Sequence, residues 1–395
     1  MPSPAWLPLL LGFLTAVGPV STDMYLPAFP AIEAALGGHA GTAQATLAAW
    51  FAGLAVGQVT QGSLSDRFGR RWPLVAGTAI YTLGTAGCAL APDLATLSAC
   101  RLVAAFGGSA SMVIPRAIVR DLTDGHAAAR MMSRLMLIMG AAPILAPSLG
   151  GLVLAFAGWQ AIFWICAAYG AICCALVVAW LPDTLPPERR VRLNLAGLVS
   201  RYGAILYERS FITHALAGGF TTFGMFAYLG GSPAVFIDIY RLSPSAYGAL
   251  FGACAAGFIA ASQFNPFLVM RFGPGRVLRA AVRTMLLANI VLLGIAWARP
   301  ADFLYVITPI FVTMACAGVI LPNATVGALS RHAAHAGSAS ALMGTLMFVL
   351  GAVSGLLVGL ASDGTARPMA ALLAIGALAA TLAELGRGGG GQGMR

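Results

Sequence analysis

Asp23 and Arg101 are the two charges most clearly inside apolar stretches of this chain, and their types define what chemistry they can do. A charge at the centre of a membrane helix costs about 2.5 to 3.5 kcal/mol, so residues of this kind face a cavity. The arginine is a permanent cation, whereas the carboxylate can take up a proton. Burial favours the neutral acid and a nearby cation favours the carboxylate. A cavity that opens and closes would therefore swing Asp23 between proton loading and release. At 1.5 Å per residue, Asp23 lies roughly 26 Å from the start of its stretch, and Arg101 roughly 21 Å from the same face of a core about 30 Å thick. The matching depths predict that the two interact, directly or through water. A static ion pair that only ties two helices together would use the same residues.

A second group of charges lies between two apolar stretches, in Gly62-Ser63-Leu64-Ser65-Asp66-Arg67-Phe68-Gly69-Arg70-Arg71. Asp66 falls at the C-terminal end of a helix, where the helix dipole is negative and a carboxylate needs compensation. Arg67, Arg70 and Arg71 are within reach, and so, in one conformation, is the positive N-terminus of another helix. A third stretch, 140–151, reads Gly-Ala-Ala-Pro-Ile-Leu-Ala-Pro-Ser-Leu-Gly-Gly. Its small residues let helices approach closely and its two prolines bend the chain, which is also what plain packing would use.

Weaker candidates are Tyr25, on the same stretch as Asp23, and Phe220, Phe223 and Phe226, which would line a cavity or face lipid. Gln58, Asn265, Asn289 and Asn323 could hydrogen-bond across helices. Glu33 is expected in solvent at the outer mouth. The histidines show no metal spacing, and the seven cysteines sit in or beside apolar stretches, where thiols act as small hydrophobes; no metal site is expected.

Elements that could position such residues follow from composition. Of 395 residues 59% are hydrophobic and only 9% charged, against about 25% charged in soluble domains, so the chain is an integral membrane protein. The net charge of +10 does not mark a nucleic-acid binder, because the basic residues form short clusters between apolar stretches without stacking aromatics. Lysine is absent and no phosphate-binding glycine loop occurs, so no nucleotide site is visible. The first apolar run lacks a basic lead-in and continues past Asp23, which reads as a first membrane helix rather than a cleaved signal.

Runs of about 20 apolar residues predict twelve spans, at 6–31, 43–62, 73–91, 95–117, 133–157, 160–181, 211–236, 245–268, 278–297, 303–328, 338–360 and 368–385. Outside the spans, nearly all arginines fall on the side of the termini, and only Arg241, Arg299 and Arg367 fall on the other. Arginine in short loops stays cytoplasmic, so both termini are placed there. The long polar interruption 182–210 divides a six-helix bundle at 1–181 from another at 211–385, and the Gly-rich tail 386–395 is expected to be disordered. A faint repeat links the halves: Arg67-Phe68-Gly69 recurs as Arg271-Phe272-Gly273, and Val113-Ile114-Pro115 matches Ile320-Leu321-Pro322. Duplicated halves of this size commonly hold a substrate site between them near the bilayer midplane.

The pattern Gly-x-Leu-x-Asp-Arg-x-Gly-Arg-Arg at 62–71 resembles the hinge motif of the major facilitator superfamily. The resemblance implies a twelve-helix fold of two pseudo-symmetric bundles and a conformational latch at Gly62, Asp66, Arg67, Gly69, Arg70 and Arg71. Met270 stands at the acidic position of the second copy, so only the first could latch. Thr22-Asp23-Met24-Tyr25-Leu26-Pro27-Ala28-Phe29-Pro30 resembles the first-helix signature of the bicyclomycin/chloramphenicol-resistance (Bcr/CflA) drug:proton antiporters. Arg101 with Gly107 and Gly108 is similar to the fourth-helix motif whose arginine is linked to proton transfer. Gly140, Pro143, Pro147, Gly150 and Gly151 resemble the antiporter motif of exporters.

The resemblance implies proton-coupled efflux of small drug-like compounds across the inner membrane. In it Asp23 carries the proton, Arg101 is its coupling partner, and Asp23, Tyr25, Arg101 and Phe223 line the cavity. Protons, a small-molecule drug or metabolite and the lipid bilayer are the expected partners; a monomer without cofactors is expected, driven by the proton gradient. Uptake coupled to protons, or export of one dedicated metabolite, would suit the same superfamily. An enzyme should cluster acids or histidines at one interface, and a channel would not need the hinge loop.

Overall fold

Lipid offers the backbone no hydrogen-bond partner, so an apolar stretch that crosses it must close its own hydrogen bonds as a helix. The structure, a computed structural model, describes residues 6–39, 41–122, 125–190, 202–298, 301–332 and 336–387, and their side chains except at 120, 125–130, 132–134, 136–141, 143, 189, 336 and 337. Each expected span after the first falls on a continuous helix or, for spans 5 and 6, on a shared one. Span 2 is Gln44–Phe68, span 3 Arg71–Ala89 and span 4 Leu94–Leu122; spans 5 and 6 share Gly125–Trp180, parted at Gly158. Span 7 is Arg209–Pro233, span 8 Pro244–Phe272 and span 9 Pro274–Ala298. Span 10 is Leu304–Leu329, span 11 Ala336–Leu360 and span 12 Arg367–Arg387.

Span 1 is not one helix. It runs as Leu7–Thr15 and Val17–Asp23, loosens at Met24 and Tyr25, takes one 3-10 turn at Leu26–Ala28 and resumes as Phe29–Ala35. Pro27 and Pro30 supply the cause, since each removes an amide from the helix ladder. Broken helices of this kind are where transporters place their sites.

Several helices overrun their expected bounds, and the end of span 2 and the setting of Glu33 are the differences that bear on the candidate residues. Span 2 continues to Phe68 instead of ending at 62, so the hinge shrinks to Gly69 and Arg70. Ser65 folds back on the Gly62 carbonyl at 2.8 Å, and Arg67 in the last turn suits the negative end of the helix dipole. Glu33 is buried rather than solvated: it accepts the amides of Gly41 (3.0 Å) and Ala43 (2.9 Å) and so satisfies donors at the start of span 2.

Contacts divide the chain into two compact units, Met1–Leu193 with Ser243–Gly252, and Asn194–Leu242 with Ala253–Arg395. Parts of the expected linker (191–201) and tail (388–395) lie outside the described residues; within the linker, Pro187–Arg189 forms a 3-10 turn and 202–207 is helical, and Gly386 and Arg387, expected in a disordered tail, instead close the helix of span 12. In the first unit spans 2 and 3 both close on span 4, because Gly53 lets span 2 approach the Leu102 carbonyl and Gly84 lets span 3 approach Ala104. In the second unit, Asn323 donates to Asn265 at 2.7 Å between spans 10 and 8, and Asn289 donates to Thr313 at 3.1 Å between spans 9 and 10. Three of the four amide side chains singled out from the sequence thus join helices.

The backbone itself repeats between the halves. Positive φ occurs at Gly69 (88°) and Gly273 (80°), at Gly158 (73°) and Gly364 (73°), and at Gly37 (69°) and Arg241 (58°). Each pair is separated by nearly the spacing that relates Arg67-Phe68-Gly69 to Arg271-Phe272-Gly273. Pro115 and Pro322 both lie inside their helices, and the chain leaves regular α-helix at Pro27 and again at Pro233, where a π-helical turn Ala234–Ile239 begins.

Candidate functional site

The break in span 1 is where the intramembrane charges gather. Arg101 is 2% exposed, and its Nη1 donates to the Ser21 carbonyl at 2.9 Å. Its guanidinium lies 4.0 Å from the Tyr25 ring centroid, 4.2 Å from that of Trp50 and 5.9 Å from that of Phe163, on spans 1, 2 and 6. Nε and Nη2 have no hydrogen-bond partner among the described residues, so ring faces are what the rest of the guanidinium meets. Desolvated contacts of this kind contribute up to about 2 kcal/mol each.

The rings are themselves held. Tyr25 packs on Phe29 at 5.0 Å and Phe163 at 5.8 Å, and its hydroxyl is 3.4 Å from Thr46 Oγ1. Trp50 packs on Tyr81 at 6.4 Å, and the Tyr81 hydroxyl bonds to Ser21 Oγ. Ser21 and Tyr25 therefore hold Arg101 from either side of Asp23 in sequence.

Asp23 is 5% exposed and closes the helix Val17–Asp23. Among the described residues it forms no ion pair within 4.0 Å with Arg101 or any other cation, and no hydrogen bond. The two charges share one locality without being paired. The cation is balanced by aromatic faces and a carbonyl, which leaves the carboxylate uncommitted.

Span 5 supports this arrangement from behind. A Cβ at Gly150 would collide with the Met24 carbonyl, in the break itself, so only glycine lets span 5 approach there. Gly151 similarly faces the Pro244 carbonyl, while Gly248 faces that of Pro147 and Gly252 that of Ile144, all within the first unit. Pro147 is buried in this contact; Gly140 and Pro143 lie on the helix, with side chains outside the described residues.

The hinge group forms a separate network. Arg70 is the centre: it meets Asp66 at 2.5 Å and Asp121 at 2.7 Å, donates to Ser65 Oγ at 2.9 Å, and its amide donates to Asp183 at 2.8 Å. Burial opposes the charge on Arg70, but Asp121 and Asp66 more than offset it, and its pKa lies above the usual arginine value. Gly69 needs its hydrogen twice, for φ and because a Cβ would strike the Asp183 carboxylate. Arg71 donates to the Val178 carbonyl at 2.7 Å, and Arg67 lies over the Phe68 ring at 5.0 Å. Gly62 only touches Val113, with room for a methyl.

Sequence reasoning missed Asp121, Asp183, Trp50 and Phe163. The two acids were findable, as carboxylates at helix ends on the arginine-rich side. Phe223 belongs to the second unit, 4% exposed; it packs on Phe220 at 6.3 Å, and its carbonyl accepts from Ser354. The second unit has its own charge cluster around Glu384, which meets Arg387 at 2.8 Å and Arg279 at 3.3 Å, while Met270 is 81% exposed.

Comparison with known proteins agrees with this architecture. The sequence profile of the Major Facilitator Superfamily matches residues 11–383. The chain is 38% identical over 386 residues to an uncharacterized MFS-type transporter, YdgK, of Bacillus subtilis (strain 168), covering 96% of this chain and 94% of that protein. It is 30% identical over 367 residues to the bicyclomycin resistance protein homolog of Haemophilus influenzae, covering 91% and 90%. Among solved structures, a D-xylose-proton symporter superposes with a TM-score of 0.73 at 14% identity, covering 96% and 95%, a likeness of fold. The chain therefore belongs to the major facilitator superfamily: it is a multi-pass inner-membrane transporter, not an enzyme, and resembles the drug:proton antiporters of the Bcr/CflA group.

Proposed function

We propose that this protein exports small drug-like compounds in exchange for protons, with both termini in the cytoplasm. The observation that carries the reading is the buried, uncommitted carboxylate of Asp23 beside an Arg101 that aromatic faces hold in place. A carboxylate locked in an ion pair would be a poor proton carrier, because the cation would keep it ionised throughout the cycle. Asp23 is free of that lock, yet close enough in chain to Ser21 and Tyr25 that movement of the span 1 break would change its distance from Arg101. The likeness to a bicyclomycin resistance protein homolog supports a drug-like substrate, and Gly150 against Met24 ties the antiporter motif to the same break. The hinge network around Arg70 serves as a latch, the proton gradient is the energy source, no cofactor takes part, and the monomer is the working unit.

The test is drug-dependent proton release from the purified protein, with resistance of overexpressing cells as companion measurement. Wild type releases protons on adding a transported drug, and Asp23→Asn abolishes both release and resistance. Unchanged release and transport in Asp23→Asn would remove Asp23 from the mechanism. Accumulation of substrate in energised cells, in place of depletion, would mark an uptake system.

A further inference from the structure

The second unit carries a groove that the transport reading does not use. It is a cavity of about 610 Å³ walled by Leu268 and Phe272 of span 8, Arg276 and Ala280 of span 9, and Phe311 and Val319 of span 10. Apart from Arg276 and Thr284 its walls are made of apolar residues. Along span 8 it reaches from Phe272 back to Ala261, about 16 Å at 1.5 Å per residue, or close to half of a 30 Å bilayer core. It thus has the length of one leaflet, with its charged end where span 9 begins.

That end is rich in cations. Arg276 lines the groove, and Arg283, two turns on, falls on the same helical face and is also exposed. Neither has a hydrogen bond or ion pair among the described residues. Arg271 lies over the Phe272 ring at 5.5 Å. The nearby carboxylate, Glu384, is already held by Arg279 and Arg387. Arg283 lies nine residues into its helix, roughly 13 Å, where an exposed guanidinium needs an anion or must reach back to the interface.

We propose that this groove holds an anionic phospholipid, with its phosphate at Arg276, where Arg283 can reach back to it, and one acyl chain running on past Ala280 toward Ala261 and Phe311. Basic pockets between membrane helices take anionic headgroups in this way. The acyl slot and Arg276 lie in one continuous cavity, with Arg283 on the same helical face beside it, which suits a lipid rather than a free anion or an apolar solute.

The full-length purified protein in mixed micelles can be titrated with dioleoylphosphatidylglycerol and, separately, dioleoylphosphatidylcholine, reading lipid retention by native mass spectrometry. Phosphatidylglycerol should bind more tightly, and Arg276→Gln with Arg283→Gln should weaken it about 30-fold, or about fivefold per arginine. Arg276→Lys should retain most of the preference, and Ala280→Trp should weaken both lipids by blocking the slot. Far-UV circular dichroism checks that each variant is folded, with Arg241→Gln plus Arg367→Gln as a charge-matched control that leaves binding unchanged. Equal binding of the two lipids by wild type would overturn the proposal. So would an undiminished phosphatidylglycerol preference in the double variant, or an Ala280→Trp variant that loses a transported drug while keeping the lipid.

Discussion

A guanidinium inside a membrane protein usually finds a carboxylate, and Arg101 has one two residues from its carbonyl partner Ser21, yet it is balanced by rings. The physical consequence is a division of labour. The π faces of Tyr25 and Trp50 stabilise the cation without fixing the protonation state of Asp23, which a direct pair would do. This can be tested at Trp50, which is fully buried and touches Arg101 with its face. Trp50→Phe keeps a ring and Trp50→Leu does not, so the leucine variant should be less stable than the phenylalanine variant by about 1 to 2 kcal/mol. Thermal unfolding of the two purified variants measures the difference. Equal stability would mean that burial alone, and not the aromatic face, seats Arg101.

Among the elements, the turns carry the record of duplication more clearly than the helices do. Gly37, Gly69 and Gly158 in the first half correspond to Arg241, Gly273 and Gly364 in the second, all with positive φ. Arg241 is the exception in kind, since a left-handed conformation costs a residue with a Cβ about 1 to 2 kcal/mol. Arg241→Gly should therefore raise stability by about 0.5 to 1 kcal/mol, the greater freedom of glycine in the unfolded chain offsetting part of the relief. Gly69→Ala should lower it by more, because its Cβ would also strike Asp183. Melting curves of both variants against wild type decide the matter; a destabilised Arg241→Gly would show that the arginine side chain contributes more than its backbone costs.

The same elements show what sequence can tell. Helices were legible because lipid forces apolar runs into one geometry, and the positions of Asp23 and Arg101 were legible because charge is rare there. The end of span 2 was not, since Ser63, Ser65 and the charges after them look like loop, whereas the hydroxyls bond back to the helix. Trp50 and Phe163 were silent because an aromatic residue in an apolar helix carries no mark of which face it turns to a cation.

At the scale of the whole molecule, each unit closes its arginine-rich end with a carboxylate cluster built from different positions. In the first, Arg70 from the hinge bridges Asp66 and Asp121 of spans 2 and 4. In the second, Glu384 of span 12, with a side chain 2% exposed, collects Arg279 and Arg387. The repeat thus preserved the turn at Gly69 and Gly273 while the charges were dealt out anew, which is why Met270 can replace the acid of the first copy. Removing one partner from a largely buried charged hydrogen bond costs about 1.5 to 3 kcal/mol. Asp121→Asn and Glu384→Gln should each lower stability by about that much. Since the clusters share no residue and each is assembled from one compact unit, the double variant should equal the sum of the singles within about 0.5 kcal/mol. Denaturation of the wild type, the two singles and the double completes the cycle. A coupling well beyond that limit would mean that the two clusters act as one device, and the latch could then no longer be assigned to the first unit alone.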